Sequence, residues 1–361
     1  MRLGDSYIRP DQVDTILYEA RTGRVPVRGA GYRGMFGGEG WDALWTDMSE
    51  IVRPTRDGIH GREFISTLAE VGAKPSHLRF YERGRLASQE PRVLSLQVPF
   101  VFDVPPRAIR SEALLRILAE TARKIDSLAI VPAAEAAGLS GPHVVPLVER
   151  EDGISLEKLD WAPRFMLLHG WDRRRFEELR RRFNRTIVGV RVPMDSDVLD
   201  LVRQGARVLH LTADYHGRAG SRFVSDAVLD IHRRLVEEGL REEVTLIGGG
   251  GIVMAEHVPK AILCGLDVVA LDTAVAVALQ ARFEGDCRDP EGSPLRLPHL
   301  DAGWALQRLV NLSASWRDQL LEVLGAMGLR EVRRLRGETG RCMFQKELER
   351  EAFAGIDGYE A

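Results

Sequence analysis

Eight short apolar runs punctuate the chain between residues 97 and 271, and most of them are continuous rather than alternating. They fall at 97–102 (QVPFVF), 127–131 (SLAIV), 143–148 (HVVPLV), 165–168 (FMLL), 187–192 (IVGVRV), 208–212 (VLHLT), 244–247 (VTLI) and 266–271 (LDVVAL). A strand that is apolar on both sides of its pleat suits a parallel sheet covered on both faces, whereas a half-exposed strand alternates. Helical periodicity fills most of the gaps, at 111–124, 171–183, 196–204, 223–238 and 255–264. In the first of these Leu114, Leu115, Ile117, Leu118 and Ala122 share one broad face, and Pro105-Pro106 upstream suits a loop or a helix start. No long helix separates the second run from the third, so the third strand is the least marked. Strands alternating with helices in this number predict an α/β protein built as a (β/α)8 TIM barrel.

The barrel is expected over residues 91–300, with an irregular N-terminal arm (1–90) packing on it and a C-terminal helical extension (301–361). Residues 28–40 (RGAGYRGMFGGEG) have the glycine density of a phosphate loop, but no strand leads into them and no clear helix follows, so they read as part of the arm. In the extension Trp304, Leu306, Leu309, Val310, Leu312 and Trp316 recur at helical spacing, the pattern of a packing face.

Composition narrows the function classes. A chain of 361 residues with 44% hydrophobic content can bury a large core. Its 50 Lys and Arg against 53 Asp and Glu leave a net charge of −3, which offers no global attraction to nucleic acid or to a membrane surface. No segment is long and apolar enough to span a bilayer, and the opening MRLGDSYIRPDQ lacks the apolar core of a signal peptide, so a cytoplasmic protein is expected. Cys264, Cys287 and Cys342 are too few and too scattered for a disulfide framework.

The densest chemical signal is 244–273, VTLIGGGGIVMAEHVPKAILCGLDVVALDT, which reads as strand, four-glycine turn, helix and strand. In a barrel the loops after strands seven and eight commonly form a phosphate site. A phosphate needs several convergent N–H donors, and Gly248 to Gly251 supply them without side-chain obstruction. The alternative is a tight strand-to-helix turn with no ligand. At the end of strand six, 209–220 (LHLTADYHGRAG) brings His210, Asp214 and His216 toward the same mouth, either as acid and base for a substrate proton or as a solvent-facing turn. No zinc site is expected from them, since no cysteine is close and the spacing fits no usual ligand pattern.

Three segments carry a family resemblance: 48–67 (MSEIVRPTRDGIHGREFIST), the glycine block through Thr273, and 321–344 (LEVLGAMGLREVRRLRGETGRCMF). In them the chain resembles the FMN-binding synthase domain of glutamate synthase, and more particularly the stand-alone glutamate-synthase-like flavoproteins of bacteria and archaea. The resemblance implies FMN at the carboxyl ends of the strands, its phosphate on the amides of Gly249, Gly250 and Gly251 and on the Thr273 hydroxyl. It also implies that Arg191 takes the place of the family's lysine near the end of strand five, facing the reduced flavin. Otherwise Arg191 is a strand-end cation paired with Asp195 or Asp197. Departures are plain. Asp272 stands where the family often has glycine, VFDVPPRAI replaces the turn under the flavin ring, and Cys287 is alone where the family carries an iron–sulfur cysteine cluster.

The leading expectation is therefore an FMN-dependent oxidoreductase of the glutamate synthase type, in glutamate biosynthesis, acting on a small molecule. It has no iron–sulfur cluster in this chain and works as an oligomer or complex subunit, electrons coming from a separate iron–sulfur or ferredoxin-like subunit. The alternatives are a non-catalytic degenerate barrel serving as scaffold or regulatory subunit of a flavoprotein complex, and a flavin-free barrel enzyme acting on a sugar phosphate or similar anion through the same glycine loop. Seven arginines in 171–185 (WDRRRFEELRRRFNR) offer a docking face for an acidic redox partner, or else a solvated helix face.

Overall fold

Parallel pairing closes the apolar runs into a barrel: β1 (Phe100–Phe102), β2 (Ala129–Pro132), β3 (Val144–Val148), β4 (Phe165–His169), β5 (Ile187–Pro193), β6 (Val208–Thr212), β7 (Thr245–Gly249) and β8 (Val268–Leu271). Neighbours follow chain order, and β8 returns to β1 with Val269 opposite Phe100 and Leu271 opposite Phe102. The computed structural model describes residues 2–26, 37–46, 64–74, 80–85, 92–136, 138–149, 159, 161–289, 292–297, 300–353 and 356. Most of the glycine-rich stretch at 28–40 and of the resemblance segment at 48–67 lies outside them.

Both faces of these strands are buried, which is why the runs do not alternate. Val101, Ile130, Val145, Leu147, Phe165, Leu167, Val208, Ile247, Val268 and Ala270 fill the barrel interior, while their neighbours Phe100, Val131, Met166, Val190, Leu209, Leu246 and Val269 face the surrounding layer. Around the barrel run α2 (Glu112–Ile125), α3 (Arg173–Arg182), α4 (Val198–Arg203), α5 (Val224–Glu237), α6 (His257–Leu263) and α7 (Thr273–Ala278). The α2 start is fixed by Ser111, whose hydroxyl accepts from the Leu114 amide at 3.3 Å. Between β2 and β3 the described residues form only the short 3-10 turn Ala133–Glu135, which accounts for the weak helical signal there.

Two differences from the sequence reading bear on the site. The glycine turn is shorter than expected, because Gly248 and Gly249 belong to β7 and pair with Val269 and Ala270. Residues 1–90 are also not irregular throughout. Pro10–Thr22 forms α1, started by Pro10 and ended at Gly23 in the left-handed region (φ 67°), with Val13, Ile16 and Ala20 buried. A hairpin of Ala69–Ala73 against Arg92–Leu96 plugs the N-terminal end of the barrel, where Thr245 Oγ1 donates to the Gly72 carbonyl at 2.8 Å. Its Val71, Leu94 and Leu96 complete the interior cluster.

The C-terminal extension is helical, as α8 (Ala302–Ala326) and α9 (Gln345–Phe353). The first packs along α1 and α2 and sets the Trp316 ring edge-on to Phe100, their centroids 6.4 Å apart. Among the described residues no helix is long and apolar enough to cross a membrane.

Candidate functional site at the mouth of the barrel

Alternation along each strand selects the side chains that point into the mouth. Val101 and Ala270 face inward, so Asp103 and Asp272, two residues on, do as well; the same step from Leu147, Leu167 and Val208 reaches Glu149, His169 and His210. On β5 the inner positions run through Gly189 to Arg191, because Val188, Val190 and Val192 belong to the outer layer. Of these residues Arg191 and His210 were expected at the site. Asp103, Glu149, His169 and Asp272 were not assigned to it, although the two-residue step at the end of each strand would have found them.

Arg191 grips Asp103 with both arms of its guanidinium, Nη1 on Oδ1 and Nη2 on Oδ2, the latter at 3.1 Å. The pairing crosses from β5 to the end of β1 and corrects the expectation of Asp195 or Asp197 as partner. Planar fork and carboxylate match in geometry, and the pair is nearly enclosed. Below it, His210 is 1% exposed, with Nδ1 3.4 Å from Arg191 Nη1 and Nε2 3.6 Å from Asp103 Oδ2. Since the guanidinium has only protons to offer, Nδ1 is the bare nitrogen and the imidazole proton sits on Nε2. Burial, with Arg191 and His169 adding repulsion against the pull of Asp103, pushes the His210 pKa down to about 3. His210 is therefore neutral across the physiological range. Burial alone would raise Asp103, but the Arg191 charge and its hydrogen bonds hold this carboxyl below its ordinary value. At the rim the half-exposed pair His169 and Glu149 share a contact of 2.7 Å.

Asp272 behaves differently. Its Oδ1 accepts from both the amide and the hydroxyl of Thr273, the latter at 3.0 Å, and so caps α7. Burial, together with the nearby Asp103 charge and against the Thr273 hydrogen bonds, raises its pKa to about 7.

The remaining expected residues surround the glycine turn. Gly249 ends β7, while Gly250 (φ 111°) and Gly251 (φ 69°) turn the chain in conformations that L side chains avoid. The space over them is filled by the chain itself. A Cβ on Gly250 would stand 2.9 Å from the Asp214 carbonyl oxygen, and one on Gly251 would stand 2.6 Å from the Tyr7 hydroxyl. The Gly251 amide donates to the Tyr215 carbonyl at 3.1 Å, Trp41 Nε1 donates to the Gly250 carbonyl at 3.0 Å, and Tyr7 covers the Gly251 carbonyl at 3.3 Å.

Asp214 and His216 serve this packing. Asp214 Oδ1 accepts from the amides of His216 and Arg218, an Asx-type turn, at 3.0 and 2.6 Å. His216 stacks on Tyr7 and joins Asp5 at 2.6 Å, latching the N-terminal segment over the turn. The ligand-type atoms of Asp5, His216 and Asp286 lie within 4.8 Å of one another. Asp5 also accepts from the Cys287 amide and Asp286 from the Ser6 hydroxyl, which ties residues 5–6 to the 286–287 loop.

Residues 218–330, from the end of the β6 loop to just past α8, match the family model described as the conserved region in glutamate synthase. Archaeal glutamate synthase (NADPH) of Methanocaldococcus jannaschii is 36% identical over 134 residues, 34% of this chain and 26% of that protein. Archaeal-type glutamate synthase (NADPH) of Thermotoga neapolitana is 31% identical over 183 residues, 47% of this chain and 32% of that protein. The chain thus spans about a quarter to a third of the length of these relatives. Among solved structures, the monotopic membrane protein (S)-mandelate dehydrogenase superposes with a TM-score of 0.54 at 10% identity, covering 94% of this chain and 96% of that one. The recombinant flavin-binding domain of baker's yeast flavocytochrome b2 superposes with a TM-score of 0.50 at 12% identity, covering 88% of each chain. At such identities the likeness is one of fold, a barrel with flanking elements. The likeness to the glutamate synthase family is thus carried by residues 218–330, the conserved region that holds the glycine turn, β7 and β8.

Proposed function

We propose that this chain is a flavin-dependent oxidoreductase of the glutamate synthase type that uses FMN over the mouth of the barrel. The observation that carries this reading is the meeting of the family-matched β7 and β8 ends with Arg191 at one mouth. The two ends of FMN fare differently against the residues present. A guanidinium inside the mouth suits the ring end, where negative charge grows on reduction. The phosphate end does not fit as the chain stands, because the Gly251 amide and the Thr273 amide and hydroxyl already have partners.

When bound, FMN supplies the acceptance and release of electrons. The chain's own contribution is to hold Arg191 in place through Asp103, to keep an uncharged imidazole under it, and to offer the solvent-facing His169 Nδ1 and Glu149 Oε2 for proton exchange. Electrons would reach it from a separate iron–sulfur or ferredoxin-like subunit, and Cys264, Cys287 and Cys342 are free thiols. The purified chain is expected to bind added FMN saturably, with quenched flavin fluorescence and a shifted visible band that bleaches on reduction. A colourless protein with no optical or calorimetric response to FMN excludes the reading for this chain.

A second reading has its own support. A barrel whose glycine turn is packed by Trp41, Tyr7 and Tyr215 suits a scaffold or regulatory subunit beside a separate flavoprotein. A native pull-down that recovers such a flavoprotein with a colourless chain favours it.

A further inference from the structure

The barrel's usual phosphate position, after strands seven and eight, already holds a carboxyl group. Asp272 follows β8 directly, is 9% exposed, and directs Oδ1 onto the Thr273 amide and hydroxyl. Those are the donors that a phosphate oxygen would need. The carboxylate has not turned away from them, and Arg191 is forked onto Asp103 rather than onto Asp272. On the other side of the position the Gly251 amide is spent on the Tyr215 carbonyl. An incoming phosphate therefore finds its donors engaged by a carboxyl group that also repels it once ionised, two obstacles with one residue in common.

We propose that Asp272 is a built-in occupant of the phosphate position, so that the barrel holds a phosphorylated flavin tightly only when this carboxyl group is displaced or removed. The inference rests on the flavin reading but predicts something separate from it, a phosphate-specific gain on losing one side chain. Asp272→Gly removes both the charge and the competing acceptor. Asp272→Asn removes the charge but keeps a carbonyl for Thr273, so it remains informative if the glycine variant fails to fold. Its gain should fall between wild type and Asp272→Gly.

The experiment titrates wild type and both variants with FMN and, in parallel, with riboflavin, which has the same ring and no phosphate. Fluorescence quenching gives the affinities, and far-ultraviolet circular dichroism verifies the fold. The expected result is FMN affinity at least tenfold higher in Asp272→Gly than in wild type, with riboflavin affinity unchanged. That outcome supports the proposal where wild type binds FMN weakly; where only the variant binds, Asp272 still occupies the position but the flavin reading for the wild-type chain falls. FMN binding no tighter in the variants overturns it. Should wild type and variants bind FMN equally, the flavin reading survives alone; should none bind, both fall. An equal gain for riboflavin also overturns it, since the obstacle would then lie under the ring.

Discussion

Arg191 and Asp103 show how a single pair organises the mouth. The residues lie 88 positions apart, and no spacing rule along the chain links them, whereas each could be assigned to the barrel interior from the alternation of its own strand. Glu19 shows the same at the other side of the barrel. It is buried between α1 and α8, accepts from Trp316 Nε1 at 2.9 Å and from Gln319 Nε2, and has its pKa raised to about 8 by burial and by the nearby Glu256, against those hydrogen bonds. A carboxyl whose folded pKa lies above its unfolded value costs stability as pH rises, because the unfolded chain ionises first. Unfolding free energy should thus fall between pH 4.5, the ordinary value, and about 8. Glu19→Gln should flatten this slope and stabilise the protein at pH 8 by about 1–3 kcal/mol, an order-of-magnitude figure for a buried group. Denaturant unfolding at pH 5 and pH 8 measures both, and an unchanged slope would mean that Glu19 is ionised in the fold.

Wide apolar faces made elements legible, while a narrow stripe mixed with polar residues did not. α2 carries Leu114, Leu115, Ile117 and Leu118 on one face and begins within a residue of its expected start. α1 has Val13, Ile16, Leu17 and Ala20 at helical spacing, but its stripe is narrow and shared with buried Gln12, Thr15 and Glu19, and the segment reads as part of an irregular arm. α3 is a case where charge is easily read and meaning is not. Arg173, Arg174, Arg180, Arg181, Arg182 and Arg185 are exposed, while Glu177 and Glu178 pair with Arg180 and Arg175 and neutralise part of the excess. The helix leaves the mouth after β4 and returns toward the start of β5, so Arg180, Arg181 and Arg182 lie at its far end from the mouth. They suit subunit docking better than direct electron delivery. Replacing all three by glutamate should weaken association with an acidic redox protein at low ionic strength and leave circular dichroism and FMN titration unchanged. Association that is equally tight and equally insensitive to salt would make α3 a solvated face.

On the scale of the whole molecule, the flanks close both ends of the barrel. The hairpin of residues 69–73 and 92–96 fills the bottom, and the N-terminal segment reaches the top through Tyr7 and Trp41. The upper closure depends on His216, stacked on Tyr7 at 4.7 Å and bonded to Asp5. His216→Ala should release it locally: amide exchange and limited proteolysis should quicken around residues 2–9 and 215–218, while β1 to β8 remain protected. Uniformly faster exchange would show instead that the latch is part of the barrel's cooperative unit.

Local pattern by itself determined the eight strands, most of the surrounding helices, the inward step that carries Arg191 and His210, and the glycine-bearing turn, since each follows from how neighbouring residues divide between two buried faces or from a backbone angle that only glycine tolerates. Tertiary structure alone decided that Arg191 pairs with Asp103, that Asp214 folds onto its own turn while His216 joins the N-terminal segment, and that Gly250 and Gly251 are covered by Trp41 and Tyr7. These contacts join residues up to 244 positions apart. Periodicity reports which side of an element is buried, but not which distant side chain or carboxylate arrives to bury it.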